Sequence, residues 1–329
     1  MSSDALTTVH KDEFNIKLPD RFVFICFASF EERSMTIPLS LEIHRIVNTI
    51  ILKSKNCDNA CAVNRISEKL NNCKIINLDL NNPVNVAKNL TRMAEEISSL
   101  GDTSLVIDIT TFTHETLTML IKLIYDNKVK FSSVLFLYNG ASDYSNSRVD
   151  GPCQMWLSKG CRDVRNVIGF PGLMRPAAKI CLVILAGFEL ERTTRLIELL
   201  EPDKIILGRG IDVIHPNHSD TIEHFHNKFK EWKENYKHGN CKNIDFSCRD
   251  IQKTVNVLTE LVLKNPDDNF ILVPLNTKLS TIATSIVALR NRKIQICYAV
   301  PEMYNTKNYS TPGDNVTIVD MNKIYLFRE

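Results

Sequence analysis

Glycine and proline are scarce in this chain, 11 and 12 among 329 residues, which excludes collagen-like, linker-rich and disordered classes. No apolar run approaches the roughly 18 residues of a membrane span; Ile180 to Phe188 is the longest of note. The polar start MSSDALTTVHKDEFN has no apolar core of a secretory signal, so a soluble, cytoplasmic protein is expected. Charge of neither sign dominates: 40 Lys+Arg stand against 38 Asp+Glu, a net +2. That excludes an acidic tail protein and a strongly basic nucleic-acid coat, and gives no strong signal for direct DNA or RNA binding. Three nucleotide and hydrolase signatures are also missing. There is no GxxxxGK[ST] loop and no GxSxG elbow. Leu207-Gly208-Arg209-Gly210 holds a GxG without a third glycine, and it follows a second strand instead of a first.

Ten cysteines are present, but the chain is neither short nor marked for secretion, so no disulfide scaffold is expected. Cys26, Cys181 and Cys297 lie in apolar runs, where a thiol acts as a small hydrophobe. The spacings Cys57-x3-Cys61, Cys153-x7-Cys161 and Cys241-x6-Cys248 match no zinc pattern. His215, His218, His224 and His226 cluster, but Ile222, Phe225, Phe229 and Trp232 make an apolar helix stripe there, and His224 and His226 leave that helix on opposite sides. No metal site and no cofactor are expected.

The informative feature is an internal repeat. RFVFICFASFE (21–31) reappears as KICLVILAGFE (179–189), NTIILKS (48–54) as DKIILGR (203–209), and LDLNNPVNVAKNLTRM (78–93) as FSCRDIQKTVNVLTEL (246–261). LVIDITTFTHETLTMLI (105–121) matches ILVPLNTKLSTIATSIV (271–287), and LYNGASDYS (137–145) matches CYAVPEMYN (297–305). The five blocks keep their order, each displaced by between 155 and 168 residues. This pairing sets Thr111 over Thr277, His114 over Ser280 and Tyr138 over Tyr298.

Each copy alternates β runs with helical stretches. The strands are expected at Phe22–Phe27, Ile50–Leu52, Lys74–Leu80, Ser104–Asp108 and Ser133–Tyr138, and again at Ile180–Leu185, Ile205–Leu207, Lys242–Phe246, Phe270–Pro274 and Lys293–Tyr298. The longest helices are expected at Val84–Leu100 and His114–Asp126, and at Ile251–Lys264 and Leu279–Asn291. Continuous apolar runs joined by helices of 10–15 residues mean parallel strands buried on both faces. The expected fold class is α/β, two tandem Rossmann-like parallel-sheet units forming a pseudo-dimer. Residues 1–144 are the first unit, 145–178 a bridge that packs across both units, and 179–329 the second. Trp156, Leu157, Val164, Val167, Ile168 and Phe170 make the bridge too apolar for a free linker.

In open parallel sheets ligands bind beyond the C-terminal strand ends, where helix N-termini present free N–H groups. Four segments should reach such edges. Two follow the first strands, with Ser29, Glu31 and Arg33 in one copy and Gly187, Glu189 and Arg192 in the other. Two follow the fourth strands, with Asp108 and Thr111, and with Asn276, Thr277 and Lys278. Hydroxyls, an amide and an ammonium in these turns can meet a phosphate. A lysine in the first turn opposes the helix dipole, so it is poorly explained as a helix stabiliser. Thr and Ser also cap helices everywhere, which is the plainer account of the threonines. Glu32-Arg33 and Glu191-Arg192 either bind a phosphate or form ion pairs holding the first helix to its neighbour. His114 is a candidate acid or base, or simply a helix-start histidine.

The strand–Thr-Lys–helix layout of FILVPLNTKLSTIATSIVAL (270–289), with LVIDITTFTHETLTML (105–120) as its divergent copy, resembles the CARF and SAVED group of Rossmann-like nucleotide sensors. Leu275-Asn276 stand where that group usually has two glycines. The resemblance implies a ligand pocket lined by Thr277-Lys278 and by the first-strand loops Ser29-Phe30-Glu31 and Gly187-Phe188-Glu189. It implies a cyclic oligonucleotide as ligand and, in a chain of this length, two such units fused.

The expected function is therefore a nucleotide or cyclic-oligonucleotide sensing module, set in antiviral defence and acting through a partner effector protein. The alternative is an enzyme on a nucleotide-like substrate, of ring nuclease or glycosidase type, drawing on Glu31, Glu32, Asp108, His114 or Lys278. A scaffold without any small ligand is the third possibility.

Overall fold

The apolar run at the start of the repeat forms β2 (Phe22–Ala28), every residue of which is buried. In the computed structural model its alternate side chains Phe22, Phe24 and Cys26 pack with Ile37, Val63 and Ile66, while Val23, Ile25 and Phe27 are equally inaccessible. The sheet is thus covered on both faces, as a doubly wound fold requires. Each such fully buried aromatic or aliphatic side chain contributes about 1.5–3 kcal/mol. The described residues are 5–56, 59–100, 102–127, 131–144, 157–188, 190–212, 226–227, 229–232, 234, 241–306 and 309–324.

The chain divides into two units, Met1–Asp143 with Ser310–Glu329, and Tyr144–Tyr309. The first unit holds β1 (Leu6–His10), β2, α1 (Arg33–Ser40), β3 (Ile46–Ser54), α2 (Ala60–Lys69), β4 (Cys73–Leu78), α3 (Pro83–Ser98), β5 (Thr103–Asp108), α4 (His114–Asp126) and β6 (Phe131–Tyr144). Its sheet runs β1-β15-β6-β5-β2-β3-β4, where β15 is Ser310–Asp320. The five strands from β6 to β4 are all parallel.

The second unit holds β7 (Ser158–Lys159), β8 (Asp163–Pro171), β9 (Ile180–Leu185), α5 (Glu191–Leu200), β10 (Lys204–Gly210), β11 (Cys241–Phe246), α6 (Ile251–Lys264), β12 (Asn269–Pro274), α7 (Lys278–Arg290), β13 (Ile294–Val300) and β14 (Met303–Tyr304). Its sheet runs β11-β10-β9-β12-β13-β8. Numbered within its own unit, each set of five parallel strands has the order 3-2-1-4-5, the Rossmann order. The repeat is thus a repeat of topology, and the α/β class with two Rossmann-like units stands.

The chain is divided differently from the expected tandem. Strand β15 lies beside β6 in the first sheet and pairs antiparallel with β1, so residues 310–320 belong to the first unit and not to the second. The second unit is inserted between two neighbouring strands of the first. Within the expected bridge, β8 pairs antiparallel with β13 and so belongs to the second sheet; residues 145–156, with Cys153 and Trp156, lie outside the described residues.

Local signals start the helices where the sequence suggests. Asn82, with Pro83 behind it, accepts a hydrogen bond from Asn85 N; Thr113, Asp250 and Thr277 do the same for Thr116, Lys253 and Ser280. Cys26, Cys181 and Cys297 are free, buried thiols. Burial pushes those of Cys181 and Cys297 up to about 12. In the histidine segment Phe229 is buried and Trp232 Nε1 donates to Thr194 Oγ1 at 2.8 Å, as a helix stripe would. His215, His218, His224, Ile222 and Phe225 lie outside the described residues, as does Cys57. No helix among the described residues is long and apolar enough to cross a membrane.

Candidate functional site

In both units strands one and four are neighbours, β2 beside β5 and β9 beside β12, so the order reverses between them. The loops leaving these strands define the place where such folds accommodate ligands.

In the first unit those loops form a buried polar cluster. Arg33, the first residue of α1, is only 4% exposed. Its Nη2 donates to Glu31 Oε2 at 2.6 Å and its Nε reaches the same oxygen at 3.1 Å. Nε also donates to Ser310 Oγ at 2.8 Å, and Nη1 donates to Asn139 O at 3.2 Å. Ser310 Oγ donates in turn to Glu31 Oε2 at 2.9 Å. Ser29 Oγ accepts a long bond from Glu31 N at 3.5 Å, and Ser29 O accepts from Ser34 Oγ at 3.2 Å. Glu32 is exposed.

Asp108, at the end of β5, is 2% exposed. Its Oδ1 accepts from Thr110 N at 3.0 Å. Burial pushes its carboxyl up to about 7, against the hydrogen bonds from Thr110 and the charge of Arg33, which pull it down. Thr110 Oγ1 also receives Asn139 N at 3.0 Å. The Asn139 amide donates to Gly313 O and Asn315 O on β15 at 2.8 and 2.9 Å, whereas its Oδ1 is buried with no partner among the described residues. Thr111 Oγ1 donates to Phe27 O at 2.6 Å, tying the fourth-strand turn to the first strand.

In the second unit the corresponding loops touch directly. A Cβ added to Gly187 would lie 2.2 Å from Leu275 O, so only glycine lets the two main chains approach this closely. Asn276 Nδ2 donates to Ala186 O at 2.6 Å, which likewise ties a fourth-strand turn to the end of a first strand. Thr277 caps α7 and also donates to Cys248 O at 3.0 Å. Asp212 takes Cys248 N at 2.5 Å and the Ser247 hydroxyl, fixing the loop after β11. Arg192, 7% exposed, donates from Nη1 to Ala299 O at 3.4 Å. Lys278 is half-buried at the first position of α7. Glu189 lies outside the described residues.

The two copies therefore share one device. The repeat pairs Asn139 with Ala299, and the first-helix arginines Arg33 and Arg192 donate to just those two carbonyl oxygens. Both guanidinium groups tie a first helix to a fifth strand.

One expected equivalence is corrected. Five residues separate β5 from α4 but three separate β12 from α7, so the second helix starts two residues earlier relative to its strand. The capping threonines Thr113 and Thr277 are thus equivalent, and His114 corresponds to Lys278 instead of Ser280. Thr111 corresponds to no cap. Asp108 stands where the second unit has Pro274.

Among the expected site residues, Thr111, Asn276 and Thr277 spend their polar groups pinning loops to one another. Glu31, Arg33 and Asp108 fall together, with Ser29 at the edge of the same cluster. Gly187 supplies a close approach and Arg192 a tie to β13. Asn139 and Ser310 are additions; the only hint of them in the sequence is the polar Asn139 opposite Ala299 in the repeat. Among the described residues no group of three His, Cys, Asp or Glu could hold a metal ion.

No family model matches the chain, and no curated protein matches it.

Proposed function

We propose that the protein is a nucleotide-binding sensor module that takes a nucleotide or cyclic oligonucleotide at the C-terminal ends of its parallel strands and acts through a partner effector. One observation carries this reading. In each unit the helix after the fourth strand starts with a threonine cap followed at once by a basic side chain, Thr113-His114 and Thr277-Lys278. The Lys278 cation at the positive end of the α7 dipole is unfavourable by itself, and an anion bound at the free N–H groups reverses the sign of that interaction. The position also adjoins the strand-order reversal, where the fold leaves room for ligands.

A phosphate here would be met by a few placed groups, in keeping with the near-zero net charge. The resemblance to the CARF and SAVED group supplies the ligand class and the defence setting. Thermal unfolding against a panel of mono-, di- and cyclic oligonucleotides tests the proposal. Stabilisation by at least one of them, lost in Lys278→Ala or His114→Ala, is the expected result. No stabilisation by any nucleotide overturns it.

A second reading, an enzyme on a nucleotide-like substrate, is favoured by Asp108. A carboxyl that titrates at about 7 is suited to acid–base work near neutral pH. Chromatography of cyclic oligoadenylates and NAD after incubation distinguishes the two readings, since a sensor returns them unchanged.

A further inference from the structure

The buried cluster of the first unit contains two carboxyl groups, Glu31 and Asp108, and one guanidinium, Arg33. The guanidinium is committed: Nε and Nη2 go to Glu31, Nε is shared with Ser310, and Nη1 goes to Asn139 O. The carboxylate of Asp108 accepts instead from the uncharged backbone N–H of Thr110. In the same cluster Asn139 Oδ1 is a buried acceptor with no donor among the described residues. The cluster is therefore rich in acceptors and carries one carboxyl more than its cation can neutralise. Such a group takes up a proton in preference to remaining as an uncompensated buried charge.

Ser310, which this cluster grips, is the first residue of β15, the strand by which the chain returns from the inserted second unit. Its hydroxyl accepts from Arg33 and donates to Glu31. Next to it, Ser142 Oγ on β6 donates to Pro312 O at 3.0 Å. The point of exit and the point of return are thus neighbours, and Arg33 and Glu31 fasten the returning one.

We propose that Asp108 is a proton-controlled latch: protonated, it leaves Arg33 to hold Ser310 and the start of β15; ionised, it competes for Arg33 and loosens that grip. The competition takes place in an interior where charges interact more strongly than in water. On the strands beside it, the neighbours of Asp108 are uncharged. From β2 it faces Cys26, a buried thiol held neutral by burial first and then by Asp108 itself. From β6 come Leu137 and the uncharged Asn139. From its own turn comes Thr110, and from α1 comes Arg33 with Glu31 beyond it. His114 and Glu115 begin the helix that follows the turn. Pro274 occupies the equivalent place in the second unit, so the latch belongs to the first unit alone.

Hydrogen–deuterium exchange of a peptide spanning 310–316 in the full-length chain tests this, with rates corrected for the intrinsic effect of pH. In the wild type, exchange is expected to rise several-fold, roughly threefold to tenfold, between pH 6 and pH 8. In Asp108→Asn, which is neutral throughout, the peptide stays slow at both values. In Glu31→Gln, which frees Arg33 for Asp108, it is fast at both, and this second variant keeps the test decisive if the first fails to fold. A pH-dependent rise that persists in either variant, or its absence in the wild type, overturns the proposal.

Discussion

Arg33 Nη2 lies 2.6 Å from Glu31 Oε2, with side chains 5% and 10% exposed. The pair is local in sequence yet serves long-range ends, because the same guanidinium reaches Asn139 O and Ser310 Oγ. It joins the first-strand loop, β6 and the start of β15 at one point. A surface ion pair contributes little to stability, but this one is buried, and removing one partner strands the other.

Arg33→Ala leaves Glu31 buried without its cation and is expected to cost about 3–5 kcal/mol. Replacing both residues with neutral ones of similar size, Arg33→Met with Glu31→Gln, costs much less than that single change. Urea unfolding of the three proteins measures both, and equal losses would contradict the argument.

Asp108 gives stability a definite pH dependence. Its folded value of about 7 lies above the ordinary carboxylate value of about 3.9, so the folded chain binds this proton more tightly than the unfolded one. The resulting stabilisation is complete below pH 4, declines between about 4 and 7, and is gone above, a span on the order of 4 kcal/mol. Asp108→Asn removes this decline and is expected to be the more stable protein at pH 8. Parallel decline in both proteins would refute the assignment.

Gly187→Ala places a methyl group against Leu275 O, a main-chain atom that cannot rotate away. The change is expected to destabilise by about 1–3 kcal/mol. At Gly210 an added Cβ meets the Cys248 side chain instead, at 2.4 Å, and Gly210→Ala combined with Cys248→Ala should recover part of its loss. No such second change rescues Gly187→Ala in a denaturation experiment.

Lys278→Ala removes a cation from the positive end of α7. With a nucleotide at a hundred times its Kd, the wild type gains about 2.7 kcal/mol and the variant far less. Calorimetric scans with and without nucleotide give both numbers.

Much of the fold was legible in the chain. Runs such as Phe22–Ala28 and Ile180–Leu185 are apolar because both of their faces are covered, as in a parallel sheet flanked by helices. Helix starts at Pro83, His114, Ile251 and Lys278 fall behind Asn, Thr and Asp caps, whose effect is confined to three residues of sequence. Strand β15 was not legible. STPGDNVTIVD (310–320) owes its place to partners about 310 residues away on β1, and no local pattern encodes such a pairing.

The candidate site divides the same way. That the loops after the first and fourth strands lie side by side at one sheet edge follows from the repeat and from alternating strands and helices, and the sequence by itself determined it. What the side chains in those loops hold was decided only by the tertiary structure. Thr111, Asn276 and Thr277 have the right chemistry for phosphate, but their hydrogen bonds go to Phe27, Ala186 and Cys248. The two-residue difference between the fourth-strand turns, which pairs His114 with Lys278, is likewise invisible in the alignment of the repeat. Residue type sets what a group can bind. Long-range contacts set what it does bind, because a polar group is held by whichever partner the fold brings within about 3 Å.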